Sequence, residues 1–321
     1  MTKKIILVGC GNIGSRHLQG LVKLPYPFDI VIIDPNQNSQ NLAKSRLDEI
    51  DFDKSQISFT WTESISDLDS SDLVILATPS PKRVELVKQL LESGNKRFLV
   101  EKMVCQSEDE YNKLLSMAKK YNSLLWVNAP RRTFESYQQL RKKIQGSKLS
   151  HIVVNAGNIG LGSNAIHFID LFSWFTNDSQ ITLDGDNLFE KIFPNQRGEE
   201  FMEFAGTIIG HNKNGSMILL NFLPVNNHPL TVSFFGKDLT LIVDETNEKI
   251  YDLKNLKSEL FFHTEFQSTL TTQIADDILT KDDCKLPSLE DSFIAHKELF
   301  RIFNKHIQKL TNERRLLCPI T

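Results

Sequence analysis

The sequence predicts an α/β protein: a doubly wound parallel-sheet domain of the Rossmann type, then an α+β domain built on an antiparallel sheet. Three observations carry this. The apolar run Lys4-Ile5-Ile6-Leu7-Val8 breaks into Gly9-Cys10-Gly11-Asn12-Ile13-Gly14, a strand followed by a GxGxxG turn. Strand-like and helix-like stretches then alternate with short links to about residue 127, as right-handed βαβ units do. Beyond residue 128 strand candidates follow one another directly, separated by hairpin turns. The expected division is therefore 1–127 for the doubly wound domain and 128–321 for the α+β domain.

Each element has a local reason. After the glycine turn, Ile13, His17, Leu18, Leu21 and Val22 recur at helical spacing. Asp29-Ile30-Val31-Ile32-Ile33 is the second strand, and it ends in Asp34. Leu42, Leu47 and Ile50 mark a helix, and Ser58-Phe59-Thr60-Trp61 a short strand. Leu73-Val74-Ile75-Leu76-Ala77 is a buried strand stopped by Thr78-Pro79-Ser80-Pro81, because proline cannot continue a central strand. Val84, Leu86, Val87, Leu90 and Leu91 give a helix that Gly94 closes. Phe98-Leu99-Val100 is a strand ending in Glu101-Lys102; a helix through Tyr111, Leu114, Leu115 and Ala118 and a strand Leu124–Val127 complete the first domain.

In the second domain Phe134, Tyr137, Leu140 and Ile144 share a helix face, and His151–Val154 reads as a strand. A helix is expected from about Asn164 to Phe175, strands over 201–210, 216–223, 230–235 and 239–243, and helices over about 264–280 and 288–310. Asn212-Lys213-Asn214-Gly215 and Gly236-Lys237-Asp238 are the hairpin turns.

Composition narrows the function classes. The chain has 321 residues, 40% hydrophobic and 24% charged, with a formal net charge of −3. That charge offers no field for nucleic acid or anionic membrane. No apolar run approaches the roughly 20 residues that span a bilayer, and the run after Lys3-Lys4 is too short for a signal peptide. Cys10, Cys105, Cys284 and Cys318 form no CxxC pair, which argues against zinc, a disulfide framework or a redox dithiol. Reduced thiols, a cytoplasmic location and no resident metal are the expectation.

The glycine turn points to a cofactor. Gly9 permits the tight turn, Gly11 lets backbone approach a pyrophosphate, and Gly14 lets the new helix pack closely; the helix N-terminus favours negative charge. Asp34 stands about twenty residues after Gly14, where an acid holds the ribose hydroxyls of NAD. Gly9, Gly11, Asn12, Ile13, Gly14 and Asp34 are thus expected to bind NAD(H). With Pro35 and Asn36 following the acid and no adjacent arginine, NADP(H) is expected to bind less well.

Gly9–His17, Ala77-Thr78-Pro79, Val100-Glu101-Lys102, His167-Phe168-Ile169-Asp170-Leu171 and Leu286-Pro287-Ser288 together resemble the Gfo/Idh/MocA family of NAD(P)-dependent sugar oxidoreductases, in order and spacing across nearly the whole chain. The resemblance implies a Rossmann domain followed by a domain with a large, mostly antiparallel sheet. It implies that Lys102 hydrogen-bonds the reacting hydroxyl and relays a proton, and that His167 takes or gives that proton. Thr78 is then expected to contact the cofactor and Glu101 to lie near the nicotinamide ribose.

The chain departs from the family pattern twice. Met103 stands where the family has proline, leaving a cis or a trans bond open there. Ser163 stands where an aspartate usually sits, four residues before the histidine, so Lys102 is expected to carry more of the proton transfer and Ser163→Asp to raise turnover. Ser163, Asn164, His167 and Asp170 share a helix face. Ser163 and Asn164 are expected near substrate and Asp170 to be structural. Arg131 and Arg132 follow a strand end and could meet a substrate phosphate or carboxylate.

The expected activity is hydride transfer between NAD(H) and a hydroxyl or ketone carbon of a sugar or sugar nucleotide. The alternatives are a reductase of a non-sugar substrate, such as an imine or bilin, and a cofactor-binding regulator without catalysis, in the manner of the family's galactose-regulon repressor. A homodimer or homotetramer is expected, because strands such as the one holding Ile218, Leu219, Leu220 and Phe222 are apolar on both alternations.

Overall fold

Six parallel strands form the first sheet of the protein, whose computed structural model describes residues 2–66, 68–254 and 259–321. In chain order the elements are β1 (Lys3–Val8), α1 (Gly14–Leu21), β2 (Phe28–Ile33), α2 (Gln37–Asp48), β3 (Ile57–Thr62), β4 (Leu73–Leu76), α3 (Arg83–Glu92), β5 (Arg97–Glu101), α4 (Glu108–Tyr121) and β6 (Leu124–Asn128). The strand order is β3-β2-β1-β4-β5-β6, so the winding reverses between β1 and β4. Ligands of such sheets bind beyond the carboxyl ends of the strands at that switch point. Burial on both faces explains the unbroken aliphatic runs: all four residues of β4 and the last four of β1 are buried.

After β6 the chain makes a helical turn over Pro130–Thr133 in the second unit. Then come α5 (Glu135–Lys143), β7 (Leu149–Ala156), α6 (Leu161–Thr176), β8 (Ile181–Leu188), β9 (Phe193–Pro194), β10 (Met202–Glu203), β11 (Gly206–Asn212), β12 (Met217–Phe222), β13 (Thr231–Gly236), β14 (Leu239–Asp244), β15 (Lys249–Asp252) and β16 (Glu259–Phe261). The sheet has eight strands in the order β16-β15-β14-β13-β7-β12-β11-β8, while β9 and β10 form a separate small ladder. All neighbours are antiparallel except β7 and β12. Two helices follow, α7 (Gln267–Lys281) and α8 (Leu289–Thr311).

One face of this sheet is core. Ile218, Leu220 and Phe222 are fully buried, and Phe168 of α6 meets Phe222 edge to face at 5.9 Å. Tyr137 of α5 packs on Phe175, Phe234 and Phe262. The opposite alternation carries a row set by register: Ile209, Leu219, Val153, Ser233, Ile242 and Tyr251. Leu219 and its aliphatic neighbours there are half-buried, and Tyr251 is exposed.

The structure differs from the sequence expectation in four ways. The expected strand 201–210 divides into β10 and β11 at Gly206, whose φ is +114° and where a Cβ would lie 2.7 Å from backbone atoms of Asn187 and Leu188. Strand β8 lies outside the expected strands: after Ile181-Thr182 it runs through Asp184, Gly185, Asp186 and Asn187, residue types depleted in strands. The run of hairpins also closes through one parallel pair, β7 with β12. Finally, the first compact unit comprises the chain up to Cys105, Asp109–Asn128 and Glu265–Glu290, so the second domain is interrupted by a return. The reason is α7, whose Leu270, Ile274, Ala275 and Ile278 are buried. It seats on α1 at Gly20, where a Cβ would come 2.6 Å from the Cβ of Thr271. Among the described residues no helix is long and apolar enough to cross a membrane.

Candidate active site

The turn after β1 is shaped by its glycines. Gly9 has φ +85°, and a Cβ there would lie 3.0 Å from the backbone of Ala77 and Thr78. A Cβ on Gly14 would lie 1.9 Å from the Gly9 carbonyl oxygen, so α1 can start only with glycine. Gly11 differs: the nearest atom to its Cβ position is Ser39 Oγ at 3.7 Å, which leaves its outer face open to a ligand. Arg46 of α2 braces the loop by donating to the Asn12 carbonyl (2.7 Å) and to Ser15 Oγ (2.6 Å). Asp34, just past β2, accepts from the Cys10 amide and the Asn36 amide at 2.9 Å each. Burial, and then the charge of Asp34, push the Cys10 thiol up to about 12, so it is no nucleophile. Thr78 Oγ1 and Asn128 Oδ1, past β4 and at the end of β6, are buried oxygens with no hydrogen-bond partner among the described residues. An open glycine turn at a helix N-terminus, an acid after β2 and waiting acceptors at the same sheet edge fit a dinucleotide.

Lys102 follows the end of β5 at that edge and is 6% exposed. The peptide bond from Lys102 to Met103 is cis. Glu101 beside it is buried, and its Oε1 accepts from His17 Nε2 (3.1 Å) and from Asn128 Nδ2. His17 Nδ1 is 2.9 Å from Thr271 Oγ1, and Asn128 Nδ2 also donates to Gln267 Oε1 at 2.9 Å, so α7 completes the network. Burial raises the Glu101 pKa. The His17 hydrogen bond and charge, Asn128 and the Lys102 charge outweigh it, and the carboxyl is held below its ordinary range. Glu101 is therefore an anion held by His17 and Asn128 next to Lys102 in the chain.

In the second unit His167 lies on α6, 8% exposed, one turn after Ser163. The start of α6 is capped by a distant acid. Glu203 of β10 accepts from the Gly162 amide (2.9 Å), the Ser163 amide (2.8 Å) and Ser163 Oγ, and Asn195 Nδ2 stands 3.3 Å away. Gly160, at φ +84°, makes the space: a Cβ there would lie 2.7 Å from Glu203 Oε2. Burial raises the Glu203 pKa against the pull of these donors. Asn164 Nδ2 donates to the carbonyls of Ile159 (2.6 Å) and Gly160 (3.1 Å). Asp170 takes a bidentate grip from Arg132 at 2.8 and 2.9 Å, and burial nevertheless pushes it up to about 7.

Arg131, expected at a substrate anion, has an internal partner: both Glu245 oxygens at 3.1 Å, with the Phe168 ring 4.2 Å from its guanidinium carbon. The structure thus gathers Gly9, Gly11, Asn12, Ile13, Gly14, Asp34, Thr78, Glu101 and Lys102 at one sheet edge of the first unit. Ser163, Asn164 and His167 stand together on α6. Glu203 and the buried Arg83 of α3 were not signalled by any motif.

This arrangement defines a class: a dinucleotide-binding Rossmann domain with a lysine and a buried carboxylate at the carboxyl edge of its sheet, followed by an α+β domain. Residues 3–129 match the family model described as oxidoreductase family, NAD-binding Rossmann fold. Over that domain the chain is similar to the oxidoreductases of the Gfo/Idh/MocA model. No curated protein matches the sequence. Among solved structures, scyllo-inositol dehydrogenase from Lactobacillus casei, with bound NAD(H) and scyllo-inositol, has a TM-score of 0.68 at 16% identity, covering 95% of this chain and 98% of that one. UDP-N-acetylglucosamine 3-dehydrogenase from Acidithiobacillus ferrooxidans has a TM-score of 0.67 at 14% identity, with coverages of 94% and 97%. Biliverdin reductase from Synechocystis sp. PCC 6803, in complex with biliverdin and NADP+, has a TM-score of 0.68 at 14% identity, with coverages of 93% and 97%. Identities at this level show the shared fold.

Proposed function

We propose that the protein is a cytoplasmic, homo-oligomeric dehydrogenase that moves hydride between NAD(H) and a hydroxyl or ketone carbon of a sugar or sugar nucleotide. The observation that carries this reading is Lys102 at the carboxyl end of β5, on the same sheet edge as the open glycine turn and beside the ionised Glu101. NAD(H), when bound, supplies or takes the hydride. Oxidation of an alcohol also releases a proton, and this falls to the protein's own groups. Lys102 would hydrogen-bond the reacting hydroxyl and relay the proton, while His167 would receive or return it, and Ser163 and Asn164 would face substrate. Sugar chemistry is favoured by the inositol and UDP-N-acetylglucosamine dehydrogenases among the neighbours. The biliverdin reductase keeps a non-sugar substrate as the second reading.

The test is a panel of polyols, sugars and nucleotide sugars with NAD+, and biliverdin with NADH. With a substrate in hand, Lys102→Ala should lower kcat by roughly 10²–10⁴-fold, the worth of a positioned acid–base group, with NADH affinity nearly intact. His167→Ala should lower it by less. Wild-type turnover in both variants would refute the assigned chemistry. No turnover on any compound, together with NADH-dependent binding of a protein or DNA partner, would favour a regulator.

A further inference from the structure

The edge that carries Lys102 also holds a buried arginine to which neither the cofactor motif nor the proton chemistry gives a role. Arg83 opens α3 and is 1% exposed. Its Nη1 donates to the backbone carbonyls of both Glu101 and Met103, and its Nη2 donates to that of Thr78. Glu101 and Met103 flank Lys102. Thr78 lies in the turn that leaves β4 and carries one of the buried, unpartnered oxygens of the cofactor edge. One planar group therefore ties the turn after β4 to both sides of the lysine.

Chemistry says why an arginine stands there. Carbonyls beyond a strand end have lost their ladder partners and must find donors when buried. A guanidinium offers donors in a rigid fork that can serve several acceptors at fixed angles, whereas an ammonium is a flexible point charge. Met103 restricts its own backbone no more than any ordinary residue. The direction of the segment must therefore come from outside it. Lys82, the residue before Arg83, adopts φ +63°, a left-handed conformation uncommon for a lysine, and α3 starts from that turn.

We propose that Arg83 is a positioning residue: by holding the carbonyls of Thr78, Glu101 and Met103 together it aims the Lys102 ammonium and couples that aim to the cofactor-facing turn after β4. The inference rests on the reading of Lys102 given above, but its test needs no turnover.

The measurements are NADH binding by fluorescence and the relative acetylation rate of Lys102, found by mass spectrometry after brief exposure to acetic anhydride, with exposed Lys88 and Lys119 as references. In Arg83→Ala, NADH affinity should fall about tenfold, and Lys102 labelling should change several-fold while the references stay constant. Millimolar guanidinium should restore both. Arg83→Lys keeps a buried cation and the fold but not the fork, so it should show the same losses with no rescue. A folded Arg83→Lys or Arg83→Ala protein with wild-type NADH affinity and wild-type Lys102 labelling would overturn the proposal. So would a loss of melting temperature in which every lysine labels faster and guanidinium restores nothing, for that is a brace without an aiming role. Wild-type turnover in Lys102→Ala would refute the proton assignment and leave the Arg83 result standing.

Discussion

Both oxygens of Asp34 are already in use by the backbone, one on the Cys10 amide and one on the Asn36 amide. Carboxylate oxygens have further lone pairs for ribose hydroxyls, but the same fixed charge repels a 2′-phosphate. The basic residues of α2 are engaged elsewhere, Lys44 over the Trp61 ring at 4.8 Å and Arg46 on the glycine loop. Wild-type protein should therefore bind NADH at least about tenfold more tightly than NADPH, and Asp34→Asn, which keeps the backbone bonds partly met, should shrink that ratio. Titration of both reduced cofactors by fluorescence checks this, and tighter NADPH binding by wild type would refute it. The position of Asp34 beside the glycine turn could be read from the chain alone because motif and acid are fixed by local spacing. Arg83, Glu203 and Glu245 could not. Glu203 meets Ser163 across 40 residues and Glu245 meets Arg131 across 114, and no periodicity encodes such a pairing.

At the scale of elements, the start of α6 replaces a local cap with a carboxylate from β10. Glu203→Ala would leave the Gly162 and Ser163 amides without a partner in a buried place, at a cost of roughly 1–3 kcal/mol. In a domain of this size that is a fall of roughly 2–12 °C in melting temperature, which calorimetry would resolve. Burial raises the Glu203 pKa, so the folded state holds that proton more tightly than the unfolded chain. Its contribution is complete below the usual value of 4.5 and declines as pH rises through the folded value. The gap between wild type and Glu203→Ala should accordingly narrow from acid toward neutral pH. Ser163→Asp, attractive from the sequence, would set a second carboxylate against Glu203 and should destabilise α6 rather than sharpen catalysis. The helices and central strands could be read because burial imposes period and composition on them. Strand β8 could not, since it is an edge strand whose free side is satisfied by Glu298, which accepts from the Leu183 amide at 2.8 Å, and by Arg301, which donates to the Leu183 carbonyl. Polar residues suit such an edge because they discourage pairing with another chain.

For the molecule as a whole, the half-buried row through Ile209, Leu219, Val153 and Ile242 is the reason to expect assembly. A monomer seldom leaves such a stripe in water, and a self-complementary sheet face closes as an isologous pair. Light scattering should give a mass at least twice the 36.7 kDa of one chain, and Leu219→Lys should reduce it to a single chain. A wild-type mass of 36.7 kDa at micromolar concentration would contradict this. The return of Glu265–Glu290 to the first unit bears on the birth of the protein. At roughly 5–20 residues per second, the stretch from Asn128 to Glu265 takes on the order of ten seconds to synthesise. Throughout that interval α1 has left the ribosome with its Gly20 face bare, and His17 waits for Thr271. The domain that is first in the chain is thus among the last to be finished, and a nascent chain must keep that seam from other partners until its own helix arrives.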